Sequence, residues 1–179
     1  MLFFVALTGF LENSIIKGKN TWGRHMKKFF QIILGISFLF LLVGCSSQET
    51  ATYTQGSKTA EFFVTYTYDK NKDTVSKLKI ETTESDAIDQ VRKENEELFA
   101  TLKGIDGVVT SITEKDGKLI STVEIDLTKN KFSKLKESDN AFISGLIRNG
   151  YLAGDGDDAL FSKSKEAPIK QGFKEQTKK

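Results

Sequence analysis

Residues 108–125 read Val108-Val109-Thr110-Ser111-Ile112-Thr113-Glu114-Lys115-Asp116-Gly117-Lys118-Leu119-Ile120-Ser121-Thr122-Val123-Glu124-Ile125. Two alternating runs are joined here by Asp-Gly, a strong signal for a hairpin with a two-residue turn. The turn sets the register, and the facing pairs are Lys115 with Lys118, Thr110 with Val123, and Val108 with Ile125. One face is then apolar and the other polar, which predicts an antiparallel sheet covered on one side.

A second hairpin is predicted upstream. Residues 59–68 and 74–82 both alternate, and the turn-type residues 69–73 join them. Pairing Tyr68 with Thr74 brings the apolar residues of both runs onto one face. The facing apolar pairs in this register are Val64 with Leu78 and Phe62 with Ile80. We expect the two hairpins to form one sheet.

Between the hairpins the apolar period changes from two to 3.6 residues, which predicts an amphipathic helix over about 86–103. Its apolar stripe consists of Ile88, Val91, Leu98, Phe99 and Leu102. Ser85 is the expected N-cap, and Gly104 is the expected left-handed residue after the helix. This helix would cover the apolar face of the sheet.

The C-terminal third has weaker patterns. Residues 131–136 fit a helical turn anchored by Phe132 and Leu135, whereas residues 140–152 fit neither period. A short C-terminal helix over about 164–171 would place Pro168 near its first turn, where proline is tolerated, and residues 174–179 would fray. The predicted fold is therefore α+β, with two hairpins and one covering helix in the order β-β-α-β-β, followed by a short helix.

The segment before the predicted domain has the order of a secretory signal. Met26-Lys27-Lys28 precedes an apolar run at 29–41, and Leu42-Val43-Gly44-Cys45 follows. This ending is similar to a bacterial lipobox, so we expect cleavage between Gly44 and Cys45 and a lipid on the Cys45 thiol. A retained membrane helix is the alternative, but residues 29–43 fall short of the ~20 that a span needs.

These signals divide the chain into four parts. Trp22-Gly23 requires a G-rich codon pair at the place of a ribosome-binding site before Met26. We therefore expect residues 1–25 to be a mis-assigned upstream extension, the alternative being a long start to the signal. Residues 26–44 would be the signal peptide, residues 45–57 the lipidated cysteine with a flexible tether, and residues 58–179 a single domain.

Composition restricts the chemistry of the mature chain. The sequence has one cysteine and one histidine, and His25 lies before the predicted cut. Acylation would consume the thiol of Cys45, so no Ser-His, Cys-His or histidine–metal site is available. The chain carries +2, and the five bases and one acid before Cys45 leave −2 for the rest. We expect no cofactor, no metal and no nucleic-acid partner.

Two acidic groups invite a functional interpretation. Asp155-Gly156-Asp157-Asp158 has carboxylates for Ca²⁺, but it lacks the spacing and downstream glutamate of a calcium loop, which favours a solvated turn. Glu94, Glu96 and Glu97 could serve as paired carboxylates. On an amphipathic helix they more often form its solvated face.

An aromatic and a basic group also stand out. In the predicted hairpin Phe62, Tyr66 and Tyr68 share the buried face, which leaves Phe63 as the candidate for an exposed aromatic contact. The basic group consists of Lys163, Lys165, Lys170 and Lys174. It could touch anionic lipid, although lysines at helix C-termini also complement the helix dipole.

Three stretches behind the lipobox carry a family resemblance: Phe63-Val64-Thr65-Tyr66-Thr67-Tyr68, Lys103-Gly104-Ile105-Asp106-Gly107-Val108 and Ile169-Lys170-Gln171-Gly172-Phe173-Lys174. With them the chain resembles the YehR-like family of small bacterial lipoproteins. The resemblance implies an α+β domain with an antiparallel sheet and transfers no catalytic residue, since the family's activity is uncharacterised.

Two classes of function remain open. The first is a non-catalytic binding module, anchored through Cys45 to the outer side of the cell membrane and contacting an envelope or extracellular ligand. The second is a small metal-independent enzyme that uses carboxylate, Lys or Tyr side chains. The lack of His, of metal ligands and of a Gly-rich phosphate loop favours the first class.

Overall fold

The computed structural model describes residues 47–176. Four predictions lie outside the described residues: the upstream extension at 1–25, the signal peptide at 26–44, the cleavage after Gly44 and the lipidation of Cys45.

The described part of the chain is an α+β domain, as predicted. Its elements in order are β1 (Gln48–Gly56), β2 (Ala60–Asp69), β3 (Thr74–Glu84), α1 (Ile88–Leu102), β4 (Val108–Lys115), β5 (Lys118–Asp126), α2 (Phe132–Lys136), α3 (Ala141–Arg148), β6 (Gly154–Asp155), β7 (Asp158–Ala159), α4 (Phe161–Ser164), α5 (Glu166–Lys170) and β8 (Lys174–Glu175).

The main sheet has six antiparallel strands in the order β4-β5-β3-β2-β1-β8, and β6 and β7 form a separate small hairpin. Alternate residues of each strand point to opposite faces. We call the face that carries the core the covered face, and the opposite face, which bears mainly hydroxyl and charged side chains, the open face. The predicted order of four strands and a helix is present, with further strands added at the β2 side.

The β4–β5 hairpin has the predicted register. Lys115 pairs with Lys118 and Val108 pairs with Ile125. Asp116 and Gly117 both have positive φ, 53° and 71°, as a type I′ turn requires. Local turn chemistry therefore determined this register without help from the rest of the fold.

The predicted β2–β3 register is wrong by two residues, because Val64 pairs with Ile80 and not with Leu78. Two local features cause the shift. Asp69, whose Oδ1 accepts from Asn71 N at 2.8 Å, belongs to the closing pair of the turn. Ser76 then forms a bulge opposite Thr67, the carbonyl of which accepts from Ser76 Oγ at 3.1 Å. Beyond the bulge the shift is even, so those side chains keep their predicted faces. Between the turn and the bulge it is one residue, so Val75 pairs with Tyr68 and is buried on the covered face.

Most of the predicted flexible tether is a strand, so that prediction is wrong. All nine residues of β1 pair with β2, and Ala51 and Tyr53 are buried on the covered face. Thr52 lies on the open face, where its hydroxyl is 3.1 Å from that of Thr65. The alternation Thr-Ala-Thr-Tyr-Thr was the available signal. The domain therefore begins about ten residues before the predicted position 58.

Helix α1 packs on the covered face as predicted. Leu102 is buried, and Leu98 and Phe99 pack against the core. Asn95, which interrupts the stripe, donates from Nδ2 to Ser121 Oγ at 2.9 Å. The one polar residue of the stripe is thus partly buried with a hydrogen-bond partner.

The ends of α1 confirm one prediction and contradict another. Gly104 has φ 88°, as expected for a residue that ends a helix in the left-handed region. Ser85 is not the N-cap, because its Oγ donates to the carbonyl of Thr59 at 3.2 Å and the helix begins after Ala87. The hydroxyl of Ser85 therefore forms its hydrogen bond beside the β2–β3 pair instead of capping α1.

The C-terminal third closes the core. Phe132 and Leu135 of α2 are buried, as predicted. Asn140 caps α3, accepting on Oδ1 from the backbone N–H of Phe142 and Ile143, a helix that periodicity did not indicate. The predicted terminal helix corresponds to α5, and a separate short helix, α4, precedes it. Residues 174–175, predicted to fray, form β8 at the edge of β1.

Candidate functional site

The predicted acidic turn is engaged in ion pairs. Asp157 accepts from Lys131 Nζ at 2.5 Å and from Ser133 Oγ at 2.6 Å. Asp155 accepts from Lys163 Nζ at 2.7 Å. These lysine contacts hold the pKa of both carboxyls below their ordinary value. Within residues 47–176 no group of three or more His, Cys, Asp or Glu side chains is placed to hold a metal ion.

The aromatic group lies mostly in the core. Tyr66 is 0% exposed, and its hydroxyl lies 3.0 Å from the carbonyl oxygen of Tyr151 and 3.1 Å from that of Ser164. Burial raises the pKa of Tyr66 far above its ordinary value. Tyr68 stacks on Phe161 with ring centroids 3.7 Å apart. These contacts join β2 to the C-terminal helices.

The prediction that Phe63 is the exposed aromatic is wrong. Phe63 is half-buried on the open face, whereas Phe62 is 40% exposed. Phe62 does point to the covered face, but it lies near the end of β2, outside the core cluster. Phe62 is therefore exposed because the core does not extend to this end of the covered face.

The acidic helix face and the basic group are dispersed. Glu94, Glu96 and Glu97 are exposed, and Glu94 accepts from Gln90 Nε2 at 2.9 Å. Three lysines of the basic group have separate partners: Lys163 pairs with Asp155, Lys170 pairs with Glu166 at 2.7 Å, and Lys165 lies over the ring of Phe161 at 5.4 Å. The fourth, Lys174, lies in β8. Neither set converges on one site.

A polar pocket that the sequence did not predict lies at one end of the sheet. It occupies about 160 Å³ where the β1–β2 turn meets the end of β3 and the start of β5. Its lining residues are Ser57, Lys58, Thr59, Ala60, Glu61, Thr83, Ser85 and Lys118. We call it the turn pocket. No sequence motif marks it, because its residues come from three separate segments.

Hydrogen bonds shape the wall of the turn pocket. Ser57 Oγ accepts from the backbone N–H of Thr59 at 3.3 Å and of Ala60 at 3.2 Å. The carbonyl of Thr59 accepts from both the N–H and the hydroxyl of Ser85. The β1–β2 turn is therefore held against the end of β3.

The electrostatics of the turn pocket are mainly basic. Lys58 and Lys118 line it, and Lys115 stands directly opposite Lys118 across the β4–β5 hairpin. Like charges in facing positions of a sheet destabilise it. Glu61 is the one acidic residue among those lining the pocket. Hydroxyls with two lysines can hold a carboxylate or phosphate group by charge-assisted hydrogen bonds.

The described helices have no membrane-spanning candidate: none within residues 47–176 is both long and apolar enough to cross a bilayer.

Comparison with known proteins identifies relatives over most of the chain. The chain is 34% identical over 134 residues to an uncharacterised lipoprotein of Listeria monocytogenes, covering 71% of this chain and 83% of the relative. An uncharacterised lipoprotein of Listeria innocua is 28% identical over 160 residues, covering 84% of this chain and 96% of the relative.

A solved structure and a family model agree with these relatives. The NMR structure of the Escherichia coli YehR protein matches with a TM-score of 0.54 and 27% identity, covering 72% of this chain and 90% of that one. The family described as "Protein of unknown function (DUF1307)" matches residues 49–153, more than half of the chain. The resemblance inferred from sequence is thereby confirmed, and the protein belongs to this YehR-like DUF1307 family of bacterial lipoproteins of unknown activity.

Proposed function

We propose that the protein is an exported lipoprotein, anchored through Cys45 on the outer side of the membrane, whose domain is a non-catalytic binding module. In this proposal the turn pocket binds the anionic group of a polar envelope ligand. The lipid anchor is supported by Leu42-Val43-Gly44-Cys45 and by relatives that are named lipoproteins.

The binding role is supported by how the ionisable groups are used. Asp155 and Asp157 are paired with lysines, and the hydroxyl of Tyr66 is enclosed between two carbonyls. A general acid or base must instead reach a substrate from an open site. Asp155, Asp157 and Tyr66 are thus occupied in stabilising the domain.

One observation carries the assignment of the turn pocket as the binding site. Lys115 and Lys118 face each other beside it, at a cost in stability that an anionic ligand would remove. Drug-sized ligands occupy about 300–1,000 Å³, whereas this pocket holds about 160 Å³. It therefore fits one charged group or one sugar ring, with the rest of the ligand outside.

Lipidation is tested with radioactive palmitate in cells that express the full chain. Cys45→Ser should abolish labelling and leave uncleaved precursor, whereas Ser46→Ala should label like the wild type. Unchanged labelling of Cys45→Ser would contradict the anchor.

Binding is tested by NMR titration of the unacylated mature protein with glycerol phosphate, with uncharged glycerol as the matched probe. We expect the phosphate to shift the amide signals of Lys58 and Lys118 and glycerol not to do so. Lys118→Gln should weaken the response several-fold, whereas Lys79→Gln, elsewhere on the open face, should leave it unchanged. Equal shifts with both probes, or equal weakening in both variants, would overturn the assignment. Turnover of an envelope fragment without added metal would instead favour the enzyme.

A further inference from the structure

The described domain has almost no free chain between it and Cys45. Lys70 N donates to the carbonyl of Ser47 at 2.8 Å, and β1 begins at Gln48. The side chain of Ser47 also bonds Asp69, which is the main reason why the pKa of Asp69 lies below its ordinary value. Ser47 is thus held by backbone and side chain to the β2–β3 turn.

The remaining connection is one residue long. Ser46 alone separates Cys45 from Ser47, and two trans peptide units span at most ~7 Å between the outer α-carbons. A tether of a dozen residues would let the domain rotate freely above the bilayer, whereas this connection does not.

From this geometry we infer that the β2–β3 turn, residues 69–73, rests on the phospholipid headgroups of the bilayer that holds Cys45. The inference rests on the acylation of Cys45 proposed above. The partner of the turn is the headgroup layer itself. The acyl chains lie in that bilayer, and the short covalent connection restricts the turn to its surface.

The chemistry of the turn suits a headgroup layer without requiring an anionic one. Its two lysines, Lys70 and Lys72, are exposed, and Lys70 pairs with Glu49 at 2.9 Å. Its two acids are bonded to the protein. Asp69 accepts from the N–H of Asn71 and Lys72, and Asp73 accepts from Ser162 N at 2.9 Å. The turn is therefore net neutral and polar, and the exposed ammonium group of Lys72 can meet lipid phosphates. Zwitterionic lipid should be sufficient.

The membrane-facing end is broad, because the turn is bonded to its neighbours. Phe161 N donates to Asp73 O at 2.8 Å, and Leu127 N donates to Ser76 O at 2.9 Å. These bonds join the turn to the start of α4 and the adjoining start of β3 to the segment after β5. A broad base limits the tilt of the domain more than a single projecting hairpin would.

One consequence concerns the turn pocket. The nine residues of β1 run from the membrane-facing end to the β1–β2 turn, and a strand rises ~3.3 Å per residue. An upright domain therefore holds the turn pocket ~26 Å from the membrane-facing end, with the pocket open to the envelope.

The orientation is tested with the acylated protein in phosphatidylcholine vesicles that contain a headgroup-spin-labelled lipid. The acylated chain has no other thiol, so a fluorophore can be placed on a single introduced cysteine. The variants are Asn71→Cys in the turn, Lys58→Cys at the pocket and Ser111→Cys halfway along the edge strand β4 on the open face. We expect several-fold stronger quenching at position 71 than at 58 or 111. Equal quenching at 71 and 58, or strongest quenching at 111, would overturn the inference.

Two further experiments test whether the short connection or lipid charge sets the orientation. Inserting twelve Gly/Ser residues between Ser46 and Ser47 gives a root-mean-square reach of ~19 Å and should reduce quenching at position 71 towards that at 58. Adding phosphatidylglycerol should not change the order of quenching, since covalent geometry sets it. Protein that fails to acquire a lipid, seen by mass spectrometry, would contradict the proposed anchor. Lipidated protein with an unquenched turn would contradict only this inference.

Discussion

The two faces of the six-stranded sheet are made by alternate residues of the same strands. On β2, Tyr66 is fully buried on the covered face, while its neighbour Thr65 lies half-exposed on the open face and faces the hydroxyl of Thr52. On β3, Leu78 is 0% exposed, and its neighbour Lys79 pairs with Glu81 at the surface at 2.6 Å. The covered-face and open-face residues lie on the same strands and differ in how deeply they are buried.

This difference indicates a division of tasks between the faces. Burying an apolar side chain contributes ~1.5–3 kcal/mol, whereas exposed ion pairs contribute ~0–1 kcal/mol. The covered face should therefore determine stability. The open face and its turn pocket should tolerate substitution and remain available for contact with a ligand.

The largest expected effect tests whether β1 belongs to the core. Tyr53 is 1% exposed on the covered face, so Tyr53→Ala should cost ~3–5 kcal/mol of unfolding free energy. Thr54→Ala, on the open face of the same strand, should cost no more than ~1 kcal/mol. Urea unfolding monitored by circular dichroism measures both. If the two variants matched, β1 would be the loose segment that its polar composition suggested.

A smaller effect is expected where α1 covers the sheet. Leu98 packs against the core but remains partly exposed, so Leu98→Ala should cost ~2 kcal/mol, at the lower end for such truncations. Glu96→Ala removes an exposed carboxylate and should stay within ~0.5 kcal/mol. Equal shifts of the urea midpoint would mean that α1 does not cover the sheet.

Removing one tyrosine hydroxyl should cost more at the centre of the covered face than at its rim. Tyr66→Phe leaves two buried carbonyls without their donor and should cost ~1–1.5 kcal/mol. Tyr68→Phe loses only an exposed bond to Glu49 of 3.0 Å and should cost less than ~0.5 kcal/mol. Thermal unfolding of the matched pair gives the comparison, and a larger loss for Tyr68→Phe would contradict the assignment of Tyr66 to the centre.

The last prediction concerns the ionisation of the tyrosines, which lowers stability at alkaline pH and leaves it unchanged at neutral pH. Burial raises the pKa of all four tyrosines, that of Tyr53 to about 12. The unfolded chain then releases these protons near pH 10, below the native chain, so stability is complete below pH 10 and falls as the pH rises towards 12. Phenolate absorbance should appear at higher pH in native protein than in urea. Tyr53→Phe should lessen the alkaline loss, and coincident titrations would contradict the burial of these side chains.

The predictions from sequence that succeeded had local causes. Asp116 and Gly117 adopt the positive φ values of a type I′ turn, which specify the β4–β5 register. The apolar stripe of α1 has a period that only a helix places on one side. In both cases the relevant residues lie within a few positions of one another.

The candidate site could not be predicted in the same way. Ser57, Thr83 and Lys118 line one pocket although they belong to three separate segments of the chain. The residue types are common in surface turns, so they carried no signal of their own. Phe62 similarly became exposed through its place at the end of the sheet, not through its position in the alternation.

By itself, the sequence determined the α+β class, the β4–β5 hairpin, helix α1, the family and the predicted lipid site. The tertiary structure decided that β1 is a strand and that β8 joins it across more than a hundred residues. The physical reason is the range of the forces involved. Turn geometry and helical periodicity act between near neighbours, whereas a Thr-rich segment such as β1 becomes a strand only when another strand supplies its hydrogen bonds and a core buries Tyr53.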